Sequence, residues 1–340
     1  MTGESTPATT SARLMSILDS LILAQALYAA AQLGVADLLK EGSRPVAEMA
    51  RGLQVNESAL YRVLRALAGE NVFEETSPGT FANTALSRFL LKGVPGSIRP
   101  TLIFRGSEFF FAPFGEILYS IETGQPARTR MLGMNGFEYL QQHPEVARVF
   151  DDAMTNLSEL SAPTIASAYD FGAWGSVTDI GGGNGILLAS ILRAHPGLRG
   201  VLADLPHVVS RAQQQGFLGG GLERRSSFEP CDFFREVPSG TRLYIMKNAI
   251  IDWSDERAHA ILVNCRRAVP ADGALLLIDF VIPNGNSTAL AKLVDIAMLV
   301  LTGGKVRTVG EYSHLLASAN FRLSHMIATS GLNIIQAIPS

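Results

Sequence analysis

Cysteine is nearly absent: Cys231 and Cys265 are the only two in 340 residues. Two thiols cannot build a disulfide framework, and their spacing matches no metal site. Charge is scarce as well. Asp, Glu, Lys and Arg make up 17% of the chain and leave a net charge of -3, so there is no basic stripe of the kind that grips nucleic acid. Long apolar runs are missing too: "AKLVDIAMLVLTGG" is broken by Asp295 and ends in glycines, which argues against a membrane span. The opening "MTGESTPATTSARLMS" is a polar tail without the apolar core of a signal peptide. Together these absences predict a reduced, cytoplasmic protein with no membrane and no nucleic-acid partner.

Apolar residues are plentiful. At 47% hydrophobic, 340 residues suit two domains with sizeable cores. From residue 11 to 92 the pattern is mainly helical, and "ARLMSILDSLILAQALYAAAQLGVADLL" carries apolar residues on more than one face. Such a helix needs cover beyond its own domain, and a second subunit would supply it. "RPVAEMARGLQVNESALYRVLRALAGENVFEET" reads as two short helices, with Asn56 or Ser58 capping the second, and "GTFANT" as a small strand. This is a winged helix. Its second helix sets Arg62 and Arg65 against Glu57 and Glu70, too balanced to hold phosphates, so dimerisation is the expected use. The predicted divisions are 1–100 for dimerisation, 101–165 as a helical linker contributing to the substrate pocket, and 166–340 for the catalytic fold.

From about Val177 strands alternate with helices: "SVTDI", "RGVLADL", "RLYIMKN" and "GALLLIDFVI", with "RLSHMIAT" and "LNIIQAI" as a closing antiparallel pair. The predicted class is α/β, a mostly parallel, doubly wound Rossmann-like sheet. "SVTDI" enters "GGGNG", where Gly181 and Gly183 form a G-x-G. The third glycine is Gly185, and Ile186 holds the place where a dinucleotide fingerprint needs glycine, so the spacing favours a more compact nucleoside. Asp204 ends the second strand, where a carboxylate can accept both hydroxyls of a ribose. Asp232 and Phe233 offer an acceptor for an adenine amino group beside a ring able to stack. The combination points to adenosine.

"VTDIGGGNG", "LADLPHVV", "CDFFREVP", "KNAIIDWSDE" and "GGKVRT" resemble, in order, the motifs of the S-adenosylmethionine-dependent small-molecule O-methyltransferases. The helical N-terminal region resembles that family's dimerisation domain, so the likeness covers almost the whole chain. The resemblance implies S-adenosylmethionine as cofactor and a homodimer. It assigns Gly181 to the methionine portion, Asp204 with Leu205 to the ribose, Asp232 and Phe233 to the adenine, and Lys247 to the carboxylate side.

The same resemblance exposes a gap. The family's usual pattern has a histidine base just before Asp-Trp, and here that position is Ile251. Of the two acids that orient the histidine, one maps to Asp279, a methylene shorter than glutamate, and the other to Val306. General base catalysis contributes about 10²- to 10⁴-fold, whereas well-oriented reactants reach effective molarities of about 10⁵ to 10⁸ M. The expected activity is therefore methylation of an aromatic secondary metabolite, O-methylation favoured, by proximity and orientation. The branch tailoring anthracyclines and related aromatic products shows similar aliphatic replacements. Some of its members use the bound sulfonium without methylating, so hydroxylation, cyclisation or elimination is the alternative, and a non-catalytic regulator is a third. Asp252 and Asp279 are weak candidates for a proton acceptor. His143, His195, His207, His259, His314 and His325 read as surface or structural. Met154, Met298, Thr302 and Ile251 map near the acceptor pocket, although for methionine at helical spacing core packing is an equal reading.

Overall fold

The computed structural model of the protein describes residues 7–329 and 331–340, the first four of these by backbone alone; the start of the polar tail, residues 1–6, lies outside them. The chain divides into two compact units, one comprising residues up to Ala112 with Glu145–Asn156, the other Pro113–Pro144 with Leu157–Ser340. Residues 101–165 are thus shared between the units.

The first unit begins with the long helix Pro7–Leu33. Among the described residues, its Ser11–Leu33 stretch is the one helix long and apolar enough to cross a membrane by length and composition, with 11% of the apolar window buried. Asp19, Ser20, Gln25 and Gln32 punctuate the stretch, so it holds no long uninterrupted apolar run. Leu14, Leu18, Leu21 and Ile22 are exposed in the single chain. The helices Val46–Leu53 and Glu57–Gly69 follow, and Asn56 caps the second by accepting from the Ala59 amide at 2.9 Å. Leu60, Leu64 and Leu67, one turn apart, bury against Phe73 and Phe81. The wing is a three-stranded sheet of β1 (Arg44–Pro45), β2 (Phe73–Ser77) and β3 (Thr80–Asn83) in the order β1-β3-β2.

The second unit is built on seven strands: β4 (Ser176–Ile180), β5 (Arg199–Asp204), β6 (Ser226–Pro230), β7 (Leu243–Lys247), β8 (Ala274–Asp279), and, beyond the short β9 (Val281–Ile282) and β10 (Arg307–Thr308), β11 (Phe321–Ala328) and β12 (Asn333–Pro339). The order is β11-β12-β8-β7-β4-β5-β6. The strands from β8 to β6 are parallel and β12 runs antiparallel to both its neighbours. The central strands are buried on both faces, which explains their near-continuous apolar sequences. The run "GALLLIDFVI" does not continue as one strand: β8 stops at Asp279, and Val281–Ile282 pairs instead with Arg307–Thr308. Chain order reverses between β4 and β7, so the ligand crevice of a doubly wound sheet falls at their carboxyl ends. Ile180, Asp204, Lys247 and Asp279 occupy or adjoin those ends.

Candidate functional site

The turn after β4 needs glycine. Gly181, Gly183 and Gly185 have φ of 67°, 56° and 83°, a region that side chains rarely adopt. The backbone therefore swings under the helix Ile186–Ala194, with the Gly181 amide donating to the Ala203 carbonyl at 2.8 Å and the Gly185 amide to the Gly182 carbonyl at 3.0 Å. Asp204 ties the loop to the next strand: its Oδ2 accepts from the Gly183 amide at 2.9 Å and its Oδ1 from the Leu205 amide at 2.7 Å. Each oxygen keeps a further lone pair for a hydroxyl. Burial raises the Asp204 pKa, and the two amides work against that rise.

Asp232 accepts from the Phe234 amide at 3.0 Å and faces Arg235 at 3.4 Å. Phe233 lies beside the glycine loop, its ring edge 3.7 Å from where a Cβ on Gly181 would stand. The Asn264 side chain fixes that segment by donating to the Phe233 carbonyl at 3.0 Å. Lys247, at the end of β7, donates to Ser158 Oγ at 3.0 Å. Burial lowers its pKa, against the pull of Asp179 and Asp279.

Two residues absent from the sequence reading join this crevice. Asp179, on β4 beneath the loop, is 2% exposed, and its Oδ2 has no hydrogen-bond partner among the described residues. A Cβ on Gly182 would stand 3.0 Å from its carboxyl carbon. Burial pushes its pKa up to about 7, with Lys247 lowering it and Asp204 raising it. Asn248 takes a left-handed backbone, φ 51°, just after β7, and turns the chain into the 3-10 turn Ile250–Asp252. Its Oδ1 is also buried without a partner. A buried, unpaired acceptor beside a buried lysine fits the ammonium and carboxylate of an amino-acid tail. With Asp204, the set fits an adenosine carrying such a tail.

The acceptor side is apolar. Ile251 and Val306 bury together with Ala291, and Phe280, Val294 and Met298 pack on them. Thr302 ends the helix Leu290–Leu301 by donating to the Met298 carbonyl at 3.2 Å and accepting from the Gly304 amide at 3.1 Å. The loop holding Gly304 lies so close to the turn that a Cβ there would collide with the Ile251 carbonyl. Met154 is half-buried in the segment that groups with the first unit. Arg307, fully buried, locks the turn by donating to the carbonyls of Trp253, Lys305 and Ile250 and to Asp255.

Two carboxyls adjoin the apolar cluster. Asp279 is fully buried, its Oδ2 unpartnered, and burial together with the Asp252 charge pushes its pKa up to about 8. Asp252 is raised to about 7 by burial and held back by Arg128. An acid whose pKa rises on folding binds more protons folded than unfolded, so its contribution to stability falls as pH climbs above its ordinary value. For Asp279 the loss accumulates from its ordinary 3.8 to about 8. Asp279→Asn is expected to melt higher than the parent near the upper end of that range and to lose the advantage near the lower end. Thermal melts across the range would check this, and an advantage independent of pH would refute it. Three histidines are engaged elsewhere: His143 bonds the Tyr139 carbonyl, His195 the Ala166 carbonyl and His259 the Ser318 hydroxyl.

Comparison with known proteins bears on the family and the fold. Residues 117–322 match the O-methyltransferase domain and residues 15–93 the O-methyltransferase dimerisation domain. The chain is similar to phenazine O-methyltransferase PhzM of Lysobacter antibioticus, 39% identical over 96% of this chain and 95% of that one. It is also similar to aclacinomycin 10-hydroxylase RdmB of Streptomyces purpurascens, 33% identical over 92% and 84%. The solved structure of LaPhzM superposes with a TM-score of 0.92 at 38% identity, covering 97% of this chain and 99% of that one. NcsB1 from neocarzinostatin biosynthesis, solved with S-adenosylmethionine and 2-hydroxy-5-methyl naphthoic acid, superposes at 0.82 with 32% identity over 93% and 96%.

Proposed function

The chain belongs to the O-methyltransferase family, and on that premise we propose that it methylates an oxygen of an aromatic secondary metabolite by positioning, with no protonatable side chain at residue 251. It is an S-adenosylmethionine-dependent O-methyltransferase of secondary metabolism. The assigned contacts are the Gly181 and Gly183 backbone and Asp179 and Lys247 for the methionine portion, Asp204 with Leu205 for the ribose, and Asp232 with Phe233 for the adenine. When bound, the sulfonium supplies an activated methyl: the acceptor oxygen bonds to that carbon as the C–S bond breaks, and the electron pair stays on sulfur. The protein's part is to hold the acceptor in line and dry. Met298, Thr302 and Ile251 form the acceptor floor. The uncovered apolar face of the Pro7–Leu33 helix supports a homodimer.

The observation that carries this reading is the single apolar cluster of Ile251 and Val306 beside an intact cofactor crevice. Positions that would hold a base and its orienting acid have been packed together, so the replacement is structural and mutual. Incubation of the protein with trideuteromethyl-labelled S-adenosylmethionine and a panel of hydroxylated aromatics tests it. The expected result is one labelled methyl ether per S-adenosylhomocysteine formed. An acceptor hydroxylated or rearranged without cofactor consumption would instead establish the non-methylating reading.

A further inference from the structure

The helix Leu290–Leu301 is apolar except for Lys292 and Asp295, and aspartate in mid-helix does the helix itself no good. Lys292, one turn earlier, is engaged by the carbonyls of Gly285 and Ser287 at 2.7 and 2.8 Å. Asp295 reaches a different backbone group: its Oδ1 accepts from the Val306 amide at 2.9 Å. Val306 is fully buried, so water cannot replace that acceptor, and a dry amide without a partner is destabilising. The neighbouring amides of the loop go elsewhere. Those of Thr302 and Gly303 return to the Met298 carbonyl at 3.0 and 2.9 Å, that of Gly304 to the Thr302 hydroxyl at 3.1 Å, and that of Lys305 to the Ile251 carbonyl at 2.8 Å. Two successive amides, of Lys305 and Val306, therefore tie one loop to two walls: the turn that carries Ile251 and the helix that carries Met298. Along that helix Asp295 lies one turn from both Ala291 and Met298, which meet Ile251 and Val306 in the acceptor cluster.

We propose that Asp295 is a positioning residue that sets the regiochemistry of the acceptor: by holding the Val306 amide it fixes Met298 relative to Ile251 and Val306, and so fixes which hydroxyl is presented for transfer. The inference rests on the methyl-transfer reading and deepens it. The carboxylate acts through the Val306 backbone and not on the acceptor itself. Its importance follows from the apolar character of residue 251. Where a histidine would select one hydroxyl by hydrogen bonding, an isoleucine selects nothing, and the choice falls to the shape of the walls. Walls free to slide against each other would present neighbouring hydroxyls in turn, and a misplacement of about 1 Å slows transfer by about 10²-fold. A carboxylate suits the task because a charged acceptor makes a shorter and stronger bond to an amide than a neutral one does. The ligand class selected is an aromatic with more than one hydroxyl, of which a single one is methylated.

The test compares Asp295→Ala, which removes the acceptor, with Asp295→Asn, which keeps an Oδ1 acceptor and removes the charge. Hydrogen exchange is read by mass spectrometry on peptides that contain Val306, in full-length protein saturated with S-adenosylhomocysteine. The Val306 amide should exchange about tenfold or more faster in Asp295→Ala and close to the parent rate in Asp295→Asn. Turnover is read with protocatechuate and caffeate, each of which carries two adjacent hydroxyls. The parent should give one methyl ether from each. Asp295→Ala should give both regioisomers with kcat lower by about 10- to 100-fold and with unchanged affinity for S-adenosylhomocysteine, while Asp295→Asn should keep the single product. A merely structural loss would lower the amount of folded protein and leave the product ratio alone. Asp295→Ser, whose hydroxyl is too short for the amide, makes the same reading where the alanine variant does not fold. Unchanged exchange at Val306 or an unchanged product ratio in Asp295→Ala overturns the proposal. So does an Asp295→Asn variant as impaired as Asp295→Ala, which would show the charge acting on the acceptor directly. The expected exchange pattern in a protein that methylates no phenol would overturn the methyl-transfer reading, and regiochemistry with it, while the clamp on Val306 stands.

Discussion

Alanine at Asp204 is expected to weaken S-adenosylmethionine binding by about 10²- to 10⁴-fold, since a hydrogen bond to a charged group contributes about 1.5–3 kcal/mol and two ribose hydroxyls lose their acceptor. The loss is compounded locally. The carboxylate also accepts from the Gly183 and Leu205 amides at 2.9 and 2.7 Å, so its removal frees the glycine loop as well as the ligand. Asp204→Asn keeps one oxygen acceptor and should fall between the two. Isothermal titration with S-adenosylhomocysteine reads the effect directly, and an Asp204→Ala affinity close to that of the parent would remove Asp204 from the cofactor site.

The second large effect concerns Arg307. Its side chain is fully buried and meets Asp255 Oδ1 at 2.8 Å and the carbonyls of Lys305, Trp253 and Ile250 at 2.9, 3.0 and 3.4 Å. Those carbonyls flank or begin the turn that carries Ile251 and Asp252. Alanine there strands the Lys305 and Trp253 carbonyls, leaves the Ile250 carbonyl to the Trp253 amide alone and opens a void, and these losses together cost about 3–5 kcal/mol. In a chain of this size that corresponds to a fall in Tm of roughly 10 °C. Asp255→Asn should cost much less, because the Asp255 side chain is 61% exposed and its partner keeps the three carbonyls. Equal losses in the two variants would show that the ion pair, and not the backbone clamp, does the holding.

What could be read in advance follows from what periodicity and spacing encode. The glycine loop and Asp204 were legible because strand ends and left-handed turns leave marks in residue type, whereas Lys247 came only through the family resemblance. The apolar character at Ile251 and Val306 was legible as a departure from a pattern, and the structure adds that the two share one buried cluster. Asp179 was not legible: within "SVTDI" it looks like the one polar residue of a strand, and only burial without a partner gives it meaning. Arg128 was hidden for the opposite reason. In "PARTRML" it reads as one of two solvated arginines, and nothing local says that one of them is buried with Gly136 packed on its guanidinium. The division of "GALLLIDFVI" at Asp279 was equally invisible, since β9 pairs with β10, 26 or so residues further along, and a local pattern cannot report a distant partner.

Single-turnover rates of methyl transfer for the wild type and Ile251→His, measured across pH with a phenolic acceptor, test the central claim most directly. If transfer depends on positioning, and the proton leaves by another route, histidine at 251 finds Val306 apolar and Asp279 fully buried and gains no orienting partner. The predicted result is a wild type that turns over and a variant within about threefold of it, with the same profile, far short of the 10²- to 10⁴-fold that a general base contributes. A variant faster by that larger factor, with a new inflection in the histidine range, would contradict the account and identify the missing base as the limiting feature of this enzyme.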